Sequence, residues 1–236
     1  MDTLIKVIYS PVKVFRKMKN MEKFPAMSLI VLLIVVVINN ILMIPVTTKI
    51  FELTFSSMQI PVSDDQVEKA MLMLHKMRYL TAVGAVFTYC FTLVVYTLII
   101  WVFTKIAKLS LSFSKAFELI IHCCFILVIG SLVNTFILYY QGIENITNIY
   151  KISLTGLNLL TSTEQVGVTF YTFLSLINPF YIWFLFLLTL GLATLADVKF
   201  SKAFFPCFLF WIIIIVFPVV TIYFSQMIMQ RSGLVM

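Results

Sequence analysis

Apolar residues gather in five long runs, at about residues 24–44, 79–103, 117–140, 179–195 and 204–224, with polar connections between them. A bilayer-crossing helix needs about 20 mostly apolar residues, because lipid cannot satisfy backbone hydrogen bonds. The pattern therefore predicts an all-α, polytopic membrane protein of five transmembrane helices. The fourth run is interrupted by Asn178-Pro179, and proline removes a backbone donor and biases its predecessor away from helix. Either 168–175 is a short helix lying on or dipping into the membrane before a crossing at 179–195, or one kinked helix runs from Gly167.

The connections carry patterns of their own. Ser10-Pro11 reads as a helix N-cap with proline at the first helical position. In the helix expected to follow as far as Glu22, Val12, Phe15 and Met18 form an apolar edge, and Lys13, Arg16, Lys17 and Lys19 a basic one. This predicts an interfacial helix with Phe15 in the acyl boundary and the cations beside anionic lipid headgroups; the same cations also serve simply to fix topology. In the connection at 45–78, Ser63 with Gln66 matches a capping box, and Asp64 and Asp65 suit a helix N-terminus. Val67, Ala70, Met71 and Leu74 then repeat with helical period. The helix should run into the second span and show a face of Met71, Met73 and Met77, suited to a partner or to the protein's own loops. The connection at 141–167 is polar, weakly charged and shows no obvious helix cap.

Composition and charge add an orientation. With 61% hydrophobic and 11% charged residues, the chain has too little polar surface for a soluble globule. The segment before the first run and the second and fourth connections hold eleven of the 17 cations against Asp2, Glu22, Glu118 and Asp197, hence the whole formal charge of +7. The other side holds six cations and six acids. Cytoplasmic loops are enriched in lysine and arginine, so the N-terminus is expected inside and the C-terminus outside. This divides the chain into a cytoplasmic segment 1–23, one membrane domain 24–226 and an outer tail 227–236. Because the cations sit beside spans, anionic lipid is the expected partner and nucleic acid is not. No cleavage site for a signal peptide follows the first run.

Chemistry is sparse. Cys90, Cys123, Cys124 and Cys207 all fall in predicted spans, without metal-site spacing. Glu118 and His122 stand four apart on one helix face, an arrangement suited to a proton relay or to anchoring near the membrane boundary. Asn39, Asn40, Gly130, Ser131 and Asn134 put small or amide groups into spans, as does Asn178 at the fourth. Helix packing explains such groups by default, and a polar pathway is the alternative. No zinc-protease motif, nucleophile elbow or phosphate loop occurs. The expectation is a non-enzyme with no cofactor and no metal.

Ser10-Pro11 with Phe15, Gly130-Ser131 with Asn134, Asn178-Pro179-Phe180 with Trp183, and Gly191-Leu192-Ala193 together resemble the Yip family of five-span membrane proteins over residues 8–222. Eukaryotic members have a long cytosolic N-terminal region, whereas about 23 residues precede the first run here. The short form is similar to bacterial members, most of all the YknW type that accompanies a MacB-like ABC exporter. That resemblance implies an accessory subunit of the bacterial plasma membrane, with the ABC permease and membrane-fusion subunits as partners and a part in toxic-peptide resistance. A homo-oligomeric state stays open. A small-solute or proton-coupled transporter using Glu118, His122 and Asn134 is one rival, and a membrane-shaping or trafficking-type scaffold is another.

Overall fold

In a computed structural model, which describes residues 2–20, 26–57, 64–146 and 152–231, the apolar runs are helices and the described residues contain no strand. Four helices are each long and apolar enough to cross a membrane. These are the Val83–Ile106 part of α5 (Asp64–Ile106), α6 (Phe113–Gln141), α9 (Pro179–Ala196) and the Phe200–Ile228 part of α10 (Phe200–Arg231). α3 (Ala26–Leu42) and α4 (Ile44–Ser57) make a fifth crossing if taken as one span bent by 46°. Pro45 accounts for the bend, since it withholds the N–H that would bond to the carbonyl four residues back and its ring crowds that carbonyl. Beyond it α4 stays helical and lays buried Val46 against Leu138 and Ile146, so the connection expected from residue 45 begins as a packed helix.

α6 and α9 form the centre. Leu119, Ile120, Ile121, Leu187, Leu188 and Leu192 are fully buried between them and their neighbours. α9 packs on α2 (Pro11–Asn20), α6 and α10 together. Small residues allow this. A Cβ on Gly130 would lie 2.5 Å from the Phe180 ring, and one on Gly191 would collide with Leu119 and come 3.1 Å from Phe15. The helices thus approach at a distance that only glycine permits, the usual basis of packing between apolar helices in lipid. α10 contains Pro206 and Pro218 without a break, as spans tolerate when neighbouring groups satisfy the freed carbonyls.

The fourth run divides at its proline. α8 (Val168–Leu176) ends three residues before Pro179, and Asn178 starts α9 as N-cap, its Oδ1 accepting the N–H groups of Phe180 and Tyr181 at 3.0 Å each. α8 packs on α10, where Thr169 Oγ1 donates to Gln226 Oε1 at 2.9 Å. It is a separate helix set against the end of the last span.

Three expectations need correction or fall outside the described residues. The N-terminal segment is two helices, because α1 (Asp2–Tyr9) precedes α2 and buries Leu4 and Val7 completely. Within 141–167, short α7 (Thr163–Val166) does have a capping box, Ser162 with Gln165, although none was evident in the sequence. Ser162 N–H donates to Gln165 Oε1 at 3.2 Å. Phe24, Ser63 and the tail from residue 232 lie outside the described residues.

Candidate functional site

The charges segregate to two ends of the bundle as the sequence divides them. At the basic end, α2 lies on α9 and α6. Lys13, Arg16, Lys17 and Lys19 are exposed along it, while Val14, Phe15 and Met18 are buried. Phe15 is completely covered and touches the Gly191 notch. The expected place of Phe15 in the acyl boundary is therefore corrected. The helix spends its apolar face on protein, because glycine leaves a ring-sized recess in α9. Lys19 Nζ pairs with Asp197 Oδ1 at 3.3 Å, and Asp197 closes α9 in the left-handed conformation with φ 57°.

Lys115 fastens the same end. Its Nζ donates to the Met18 carbonyl at the end of α2 and pairs with Glu118 Oε2 at 3.2 Å. Glu118 is buried, so its carboxylate is compensated within the chain. His122 does not meet that carboxylate. Its Nδ1–H donates to the Glu118 carbonyl at 2.8 Å, which leaves Nε2 facing Ser28 Oγ at 3.4 Å. A carbonyl can only accept, so the bond fixes the tautomer. The two side chains the sequence suggested as a relay thus face different partners: Glu118 pairs with Lys115, which reaches α2, and His122 faces α3.

At the far end, a cavity of about 290 Å³ opens between α6, the α8–α9 junction and the segment before α7. Gly130, Ser131 and Asn134 of α6 face Ser153 and Thr155 across it, with Asn178 at its edge and Leu127, Leu176 and Phe180 as apolar wall. Asn134 works as a clamp. Its Nδ2 donates to Ile152 O at 2.9 Å and its Oδ1 accepts the Leu154 N–H at 2.7 Å, so one amide pins an extended loop as a neighbouring strand would. Asn178 Nδ2 donates to Ser175 O at 3.1 Å. Deeper, Asn39 Nδ2 donates to Ser131 Oγ at 2.9 Å, and Thr135 Oγ1 donates to Asn39 Oδ1 at 3.0 Å, tying α3 to α6.

These two polar regions are not joined. Between His122 and Gly130, about 12 Å along α6, Cys123, Cys124, Phe125, Ile126 and Val128 are buried in the apolar core. Among the described residues no group of three or more potential metal ligands occurs.

The residues that carried the family likeness meet in pairs here: Phe15 with Gly191, Gly130 with Phe180, and Asn134 with Asn178 around one cavity. The Yip1 domain family matches residues 5–222. The chain belongs to the Yip1 domain family. No curated protein and no solved structure gives a match. In this Yip1-domain chain the intramembrane motifs are packing and loop-holding contacts. The sequence did not reveal Ser28 or Thr135 as partners of the polar groups, since each contact joins different helices; Lys115 stands three residues from Glu118, but its bond to the Met18 carbonyl leaves no local pattern.

Apolar side chains are exposed on several spans, but on α5 the exposed stripe runs past the span. If the residues nearest Ile106 fill a hydrocarbon core about 30 Å thick, the start of the helix projects roughly 30 Å beyond it. On that arm Met73 and Met77 are 62% and 40% exposed, and Leu72 and Leu80 are exposed beside them. The side chain of Met71 lies outside the described residues.

Proposed function

We propose that the protein is a non-enzymatic accessory subunit of the bacterial plasma membrane that assists assembly or function of an ABC efflux complex. Its partners are the permease and membrane-fusion subunits, and its role is resistance to a toxic peptide, as the likeness to short Yip-family members implies. The N-terminal helices lie in the cytoplasm and the α5 arm outside. The exposed cations of α2 contact anionic headgroups.

The observation that carries this reading is where the chain spends its polar groups. Glu118, His122, Asn39, Asn134 and Asn178 all bond to the chain's own helices and loops. Apolar side chains, in contrast, stay uncovered on an arm that reaches past the span. A protein so arranged acts through its surface. The transporter reading draws no support, because the two polar regions are separated by buried apolar side chains. The membrane-shaping reading loses its wedge, because Phe15 is inside the bundle.

Purification of the intact protein from native membranes in mild detergent tests the proposal. The permease and membrane-fusion subunits should co-purify at a reproducible ratio. Repeated recovery of intact protein without either would overturn it.

A further inference from the structure

Along α5, residues Met73, Met77, Leu80, Gly84, Phe87 and Phe91 follow one another at alternating steps of four and three, and Val94 and Leu98 continue the series. All eight are exposed. Steps of four and three are the spacing of a left-handed helix pair, in which a seam of period 3.5 keeps facing its partner. The opposite face of the same helix, Leu93, Thr97, Ile100 and Thr104, is the one buried against the bundle. The exposed seam therefore points away from every other described span.

Lipid alone accounts for part of this seam. Phe87 to Leu98 lie within the apolar span and would face acyl chains in a monomer. Two further observations ask for protein. The seam continues through Leu80, Met77 and Met73, and Met73 stands roughly 20 Å beyond the hydrocarbon if the residues nearest Ile106 fill it. In water such a stripe seeks cover. In addition, Gly84 sits inside a 43-residue helix at a cost of about 1 kcal/mol relative to alanine, yet a Cβ there would meet nothing within 4 Å. Nothing among the described residues of its own chain calls for glycine. A helix arriving from outside would, because a small residue lets two helix backbones approach closely.

The geometry points to a second copy of this chain as the occupant, paired in parallel along the whole seam. Copies inserted the same way present α5 in the same direction and at the same depth, so Met77 meets Met77 and Gly84 meets Gly84 without any change of register. The arm permits it electrostatically. Asp64, Asp65 and Glu68 balance Lys69, Lys76 and Arg78, so two arms side by side carry no net charge. The inference refines the exporter reading: Met73 and Met77 face the sister arm, and other subunits meet the outer faces of the pair, such as that of Leu72.

The test is oxidative cross-linking of full-chain variants that each add one cysteine, in a background with Cys90→Ser that keeps the buried Cys123, Cys124 and Cys207, in membranes and then in lipid nanodiscs lacking exporter subunits. Met73→Cys, Met77→Cys and Leu80→Cys should give the band of a doubled chain, while Lys76→Cys and Tyr79→Cys should give at least about fivefold less. Gly84→Leu should weaken pairing about tenfold or more without lowering the thermal stability of the monomer. Cross-linking without this periodicity, a monomer at all protein-to-lipid ratios, or undiminished pairing in Gly84→Leu would overturn the inference. The exporter reading stands or falls separately, since pairing in nanodiscs needs no exporter subunit.

Discussion

At the scale of single residues, the bundle depends on recesses. Gly130→Ala should destabilise the protein by about 1–3 kcal/mol, because the new methyl meets the Phe180 ring and also its Cβ, which is fixed to the backbone and cannot swing away. Gly191→Ala should cost less, since it first meets Cδ1 at the free end of Leu119. Chemical unfolding of the purified variants gives the order. Removing one member of the Lys115–Glu118 pair strands a buried charge: Lys115→Met should cost about 3 kcal/mol, and Lys115→Met with Glu118→Leu should recover most of that loss. Hydrogen exchange should meanwhile rise over residues 11–20 in both, because the bond to the Met18 carbonyl is lost. Equal exchange in all three proteins would show that α2 docks without Lys115. The sequence makes Glu118 and His122 visible as costly intramembrane groups, with Lys115 three residues from Glu118, but it hides the carbonyl and hydroxyl partners of His122. A bond to a backbone carbonyl or to Ser28, 94 residues away, leaves no trace in local spacing. The burial of Phe15 is illegible for a related reason. An amphipathic helix has the same pattern whether lipid or a glycine notch receives its apolar face.

At the scale of elements, the long apolar runs and their punctuation were legible. Asn178-Pro179 reads as a boundary because asparagine caps and proline fits the first turn, and both do so here. Asn178→Ala should therefore lower stability by about 1–2 kcal/mol. It removes two accepted N–H bonds and the donor to Ser175, so near-neutrality in thermal unfolding would contradict the capping role. The helical run into the second span was readable from period 3.6. Helix α4 was not, because Pro45 suggests an end, whereas the chain bends there and resumes helix. The box at Ser162 is inconspicuous in the sequence because the helix it starts is only four residues long and has no apolar period.

At the scale of the whole molecule, membership of the Yip1 domain family and an all-helical bundle of four or five spans agree with the plan in the hydrophobic pattern. The candidate site was legible in its residues and not in its meaning. Gly130, Ser131, Asn134 and Asn178 stood out as polar or small groups in apolar helices, but only the fold brings Ser153 and Thr155 to them and turns Asn134 into a loop clamp. On the proposed reading, function is carried by surfaces the bundle leaves exposed, above all the arm of α5. The most direct test places a photoreactive residue at Leu72, on the exposed arm but off the Met73–Leu80 seam, and cross-links in native membranes. Adducts containing the permease or membrane-fusion subunit are expected, and adducts formed with lipid and the chain itself alone would overturn the assembly role.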